Sequence, residues 1–143
     1  MNDNPSGGDD KKPVRFDLEE RTAVFGENVI RLAKKIPVTP VNERAISQFV
    51  GAGTSVGANY GEANDAESKK DFRHKIGICR KESKESKYWL RMIAVAEPTL
   101  RDEAAGLWQE AKELNLIFGS LPPRGRQGEM SCFVIGAFEH LSI

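Results

Sequence analysis

The chain has no surplus of charge: Lys plus Arg and Asp plus Glu both total 21, for a formal net charge of zero. A zero balance removes any global pull towards nucleic acid or a membrane surface, so attraction to a polyanion has to come from local patterning. Metal-ligating side chains are scarce as well. There are two histidines and two cysteines, and Cys79 and Cys132 have no metal-ligand spacing. No apolar run approaches the roughly 18 residues that a membrane helix needs. The first 13 residues are rich in Asn, Asp, Gly and Lys and lack the apolar core of a secretory signal. The expectation is a cytoplasmic protein without membrane association, in which Cys79 is a buried free thiol in a reducing compartment.

What the chain does have is helical periodicity. Its 143 residues suffice for one domain with a core. Asp17 reads as an N-cap, with Glu20 completing a capping box. Leu18, Thr22, Phe25, Val29, Leu32 and Ile36 then recur at steps of three and four, which predicts a helix over about 18–36. Thr39 and Pro40 read as cap and first residue of a second helix reaching about residue 63. Gly53, Gly57 and Gly61 recur inside it, each costing about 1 kcal/mol relative to Ala. Close approach of another helix is the expected offset. A third helix, about 67–97, carries a near-heptad seam of Phe72, Ile76, Cys79, Ser83, Ser86, Leu90 and Ile93. After Pro98, Thr99 reads as the cap of a fourth helix with Leu100, Ala104, Leu107, Ala111, Leu114 and Phe118 on one face. Gly119 and Pro122 read as its stop. Short connections favour an all-α, antiparallel up-down-up-down four-helix bundle over residues 16–120. Residues 1–15 read as a disordered polar tail, and residues 121–143 as a Pro/Gly/Arg linker with an apolar C-terminal segment.

No catalytic constellation accompanies these helices, and no enzyme activity is expected. Gly51, Gly53 and Gly57 imitate a dinucleotide-binding turn, but that site needs alternating strands and helices, and the helical stripe from Ile46 to Tyr60 is unbroken. A two-metal carboxylate site needs Glu-x-x-His pairs on facing helices. Only Asp71 and His74 come near that pattern, so no metal or other cofactor is expected.

Two polar patterns stand out instead. Asn59 with Glu62, and Glu82 with Glu85, are pairs three residues apart on neighbouring helices. Such a seam, beside small and apolar residues, fits the inside of the bundle or a subunit interface. Lys70, Arg73, Arg80, Lys81, Lys84, Lys87 and Arg91 gather in a sector of roughly 120° on the third helix. Phosphate contact would use them, making RNA or DNA a candidate partner. A solvated face neutralised by pairs such as Lys81–Glu85 is the simpler reading at zero net charge. A third use is head-to-tail subunit pairing, one copy's basic flank against the next copy's acidic flank, which closes into a ring.

The residues also carry a resemblance. Ser55-Val-x-Ala-Asn59-Tyr-x-Glu62-Ala63, Ser68-Lys-Lys-Asp-Phe72, Lys75-Ile76, Lys81-Glu82-x-x-Glu85-Ser86-x-Tyr88-Trp89-Leu90 and Leu114-Asn-Leu-Ile117 resemble the four-helix-bundle proteins encoded by intervening sequences in bacterial 23S rRNA genes. The resemblance covers about residues 16–120. It implies an antiparallel four-helix bundle, a ring-shaped homo-oligomer with five subunits, no known catalytic role, and RNA or DNA as a candidate ligand. The accessory variability proteins of diversity-generating retroelements share the bundle. That likeness implies a protein partner such as a reverse transcriptase, although the neutral charge here departs from that basic subgroup.

Overall fold

A computed structural model describes residues 17–121, and within them the chain is helical. Four α-helices follow in order: α1 (Leu18–Lys34), α2 (Glu43–Asn64), α3 (Lys69–Ala96) and α4 (Arg101–Ser120). The disordered tail expected over residues 1–15 and the C-terminal segment expected from residue 122 on, including Cys132, lie outside the described residues.

The helix ends follow from local chemistry. The Asp17 side chain accepts from the Glu20 amide at 3.2 Å and the Ser68 hydroxyl from the Asp71 amide at 3.0 Å, which caps α1 and α3. Two starts differ from the expected ones. α2 begins at Glu43 because Asn42, buried in the preceding turn, ties that turn together. Its Oδ1 accepts from the Thr39 amide at 2.8 Å and its Nδ2 donates to the Pro37 carbonyl at 2.8 Å. Thr39 and Pro40 therefore belong to this turn. Likewise Pro98–Leu100 form a 3₁₀ turn before α4, and the Thr99 hydroxyl donates to the Glu97 carboxylate at 2.6 Å rather than capping the helix.

Cross-helix contacts fix the topology. A β-carbon added at Gly57 would lie 3.3 Å from the Thr22 backbone, and one at Gly53 would meet Val29. α1 and α2 therefore run antiparallel. Val56 O and Cys79 Sγ lie 3.5 Å apart, while Glu62 pairs with Lys75, which sets α3 antiparallel to α2. The Asn115 amide donates to the Arg80 carbonyl at 2.8 Å and Lys87 lies over the Trp108 ring, which sets α4 antiparallel to α3. Arg21 bridges Glu110 and Glu113, and Lys35 bridges Glu103, so α4 also runs antiparallel to α1. The chain is an up-down-up-down four-helix bundle.

The core is the union of the four apolar stripes. Phe25, Val29 and Leu32 of α1 join Phe49 and Val56 of α2, Cys79, Leu90 and Ile93 of α3, and Leu114 and Phe118 of α4. Three hydroxyls are buried among them without penalty, because each bonds a carbonyl of its own helix. Thr22 donates to Leu18 O, Ser83 to Cys79 O and Ser86 to Glu82 O, at 2.7 to 2.8 Å. These short side chains let α3 lie close to its neighbours where a Leu would hold them apart. Burial pushes the Cys79 thiol up to about 12, as expected of a structural cysteine.

The glycine expectation holds at two positions and fails at one. Gly53 and Gly57 are where α1 touches α2, whereas nothing lies within 4 Å of a β-carbon built at Gly61. At Gly53 that carbon would sit 2.6 and 2.8 Å from the Val29 methyl groups. Gly53→Ala is therefore expected to destabilise the protein by about 1–3 kcal/mol in urea unfolding, through overpacking. Gly51→Ala, inside the same helix but in open space, is expected to stabilise it by about 0.5–1 kcal/mol. Equal effects at the two positions would refute the close-approach account.

Candidate functional site

α3 separates the charges of the surface. Its buried stripe, from Phe72 through Cys79 and Ser83 to Ile93, turns Arg73, Arg80, Lys84, Lys87 and Arg91 towards the flank shared with α4. Lys70 and Lys81 lie at the outer edge of the same sector. All of these are exposed except Lys87, which is half-buried beside Trp108. Five salt bridges form among the described residues, and none uses any of these seven cations. The expected Lys81–Glu85 pair does not form. Seven positive charges thus stand along one face without a bound carboxylate.

α4 extends that face. Glu103, Glu110 and Glu113 turn towards α1, where Lys35 and Arg21 bind them. The opposite flank of α4 carries Trp108, Lys112 and Asn115. The Lys87 and Lys112 ammonium groups lie 5.5 and 5.7 Å from the Trp108 ring centre, so two cations bracket one indole. On α3 itself, Tyr88 is 52% exposed at the outer edge of the basic sector, in line with Lys70. Its ring is braced edge-on by Trp89 at 4.9 Å. Cations interleaved with one exposed ring, Tyr88, and one half-buried ring, Trp108, suit a phosphate backbone with accessible bases. The sequence reading confined this face to α3 and missed Trp108 and Lys112. The signal was there: at 100° per residue they share a flank of α4 opposite its three glutamates.

The four polar seam residues do not form one cluster. Asn59 is half-buried, and its side-chain amide donates to the Ser55 carbonyl of its own helix at 2.8 Å. Glu62 is exposed and reaches across to Lys75 of α3. Glu85 is half-buried and accepts from the Trp89 indole at 3.3 Å. Glu82, also half-buried, has neither a hydrogen bond nor an ion pair among the described residues. Burial, with the like charge of Glu85 adding to it, holds the Glu82 carboxyl above the usual glutamate range, against the opposing pull of Lys81. No group of three or more His, Cys, Asp or Glu side chains among the described residues is arranged to hold a metal ion. No helix among them is long and apolar enough to cross a membrane.

By class, the chain is an all-α four-helix bundle with one cationic face and one carboxylate-bearing flank. A family model described as 23S rRNA-intervening sequence protein matches residues 16–119. The chain belongs to that family. A solved structure from Bacteroides thetaiotaomicron, described as a protein with unknown function from the S23 ribosomal protein family, is 30% identical. The match covers 71% of this chain and 94% of that one, with a TM-score of 0.62. No curated relative matches.

Glu82 yields a pH prediction. With its folded pKa raised, the native state binds the proton more tightly than the unfolded state does. Stability is therefore lost as pH rises from the ordinary glutamate value through the folded one. Glu82→Gln keeps the shape and removes the charge. In the dissociated single chain it is expected to melt higher than the parent at pH 7, with the advantage gone by pH 4. An advantage independent of pH, or present only in acid, would contradict the assignment.

Proposed function

We propose that this protein is a non-enzymatic, cytoplasmic interaction module that assembles into a homo-oligomeric ring and contacts RNA or DNA through the α3–α4 basic face. The observation that carries the nucleic-acid reading is the set of seven α3 cations that pair with no carboxylate among the described residues. A folded protein at zero net charge has 21 acidic residues with which to balance such a face. Here the three glutamates Glu103, Glu110 and Glu113 of α4 pair with α1 instead. Cations without an internal partner keep their full attraction for phosphate, and each phosphate neutralised releases a counterion. Arg73, Arg80, Lys84, Lys87 and Arg91 are the contact set, with Lys70 at the end of the stripe.

The ring assembly draws on the family resemblance, which implies five subunits, and on Glu82. A half-buried carboxylate without a partner is costly in an isolated chain. A cation from a neighbouring copy would supply the missing charge, and Glu85 beside it widens the acidic flank. Asn59 and Glu62 keep to their own bundle: one braces α2 and the other ties α2 to α3.

The test is binding of a single-stranded RNA oligonucleotide across a salt series, with native mass measured in parallel. With about five phosphates neutralised, log K should fall against log[salt] with a slope of about −3.5. The Lys84→Glu, Lys87→Glu double variant should weaken binding at least tenfold and flatten the slope by about 1. Undetectable binding at low salt, or binding indifferent to salt, would rule out the nucleic-acid reading. A monomeric mass would rule out the ring.

A further inference from the structure

The three helix seams between sequence neighbours are well packed, but the fourth, between α1 and α4, is open. A groove of about 690 Å³ runs along it. Phe25 and Leu32 form its floor, and Val24, Gly106 and Leu107 line its sides. Ion pairs stand across both ends, Arg21 with Glu110 and Lys35 with Glu103. Val24 is 38% exposed there, and nothing lies within 4 Å of a β-carbon built at Gly106. The groove is thus apolar inside, and its charged rim is already neutralised.

We propose that the apolar segment of residues 131–143 of the same chain docks in this groove and closes the α1–α4 seam. Three observations point to this occupant. The family match stops at residue 119, so the segment lies beyond the family bundle and is available to cover a seam within it. Its composition fits: Cys132, Phe133, Val134, Ile135, Phe138 and Leu141 are apolar in thirteen residues with one acid, Glu139. Its reach fits too. α4 ends at Ser120, at the Arg21 end of the groove, and the far end at Glu103 lies about 25 Å back along the helix. Residues 122–130, with two prolines and two glycines, span up to about 30 Å when extended. The linker can therefore turn at the end of the bundle and lay the segment along the groove in either direction.

Cys132 supplies a native probe. Cys79 is fully buried with an unreactive thiol, so a new surface cysteine has Cys132 as its partner. Disulfide formation requires β-carbons about 4 Å apart. In the full chain, Gly106→Cys under mild oxidation is expected to give an intramolecular disulfide, seen as a faster band on a non-reducing gel and abolished by Cys132→Ser. Gly77→Cys, in open space on the outer side of α3, is the control and should remain reduced. Removal of residues 131–143 should also raise binding of an apolar dye and lower the melting temperature. Cross-linking as fast at residue 77 as at residue 106, or none at either, would overturn the proposal. So would disulfide-linked dimers in place of the intramolecular product, because the segment would then serve a second copy. None of these readouts involves nucleic acid, so the result is independent of the binding test.

Discussion

The apolar stripe of α3 sets the rotation of that helix about its axis, and the rotation decides where its charges go. Phe72, Ile76, Cys79, Ser83, Ser86, Leu90 and Ile93 are all buried. Transfer of this stripe from water provides a driving force proportional to its apolar area, far larger than any single surface charge can oppose. With the stripe turned inward, the basic sector must lie towards α4 and outward, and Glu82 and Glu85 must lie on the other flank. The small middle of the stripe adds a second constraint. Cys79, Ser83 and Ser86 are fully buried and short, so the neighbouring helices approach closely there.

Charge sorting on α4 follows from its own rotation. Once Ala104, Ala111, Leu114 and Phe118 are buried, Glu110 and Glu113 face Arg21, and Trp108 and Lys112 face α3. The Arg21 guanidinium bonds both carboxylates, at 2.6 and 3.0 Å to Glu110 and 2.6 Å to Glu113. Bidentate, partly shielded pairing of this kind is stronger than an exposed lysine pair. Glu110 and Glu113 are thereby held at the α1 seam, and the cations of α3 face solvent without them. A neutral chain acquires a polar surface pattern through the way its helices turn, not through composition.

Much of this was legible before any coordinates. Apolar residues at three- and four-residue steps located all four helices, because a buried helical face can be filled in no other way. The basic sector of α3 was legible for the same reason. The starts of α2 and α4 were not, since Thr39–Pro40 and Pro98–Thr99 are good cap sequences locally. The Thr39 hydroxyl does accept from the Asn42 amide at 3.3 Å, but Asn42 closes the turn around it and Glu97 takes the Thr99 hydroxyl, through side-chain bonds that periodicity does not reveal. Gly61 was read like Gly53 and Gly57, yet it faces open space. A glycine repeat shows that a helix tolerates close approach, not that a partner is present along its whole length.

Sequence by itself determined the number of helices, their inward faces, the family, and the existence of a cationic sector, because each depends on spacing within one helix. Tertiary structure decided what those faces meet. It paired Glu62 with Lys75 and Arg21 with Glu110 and Glu113, left Glu82 without a partner among the described residues, joined Trp108 and Lys112 to the cations of α3, and opened the α1–α4 seam. These depend on the register and distance between helices far apart in the chain. Spacing within one helix carries no information about that register.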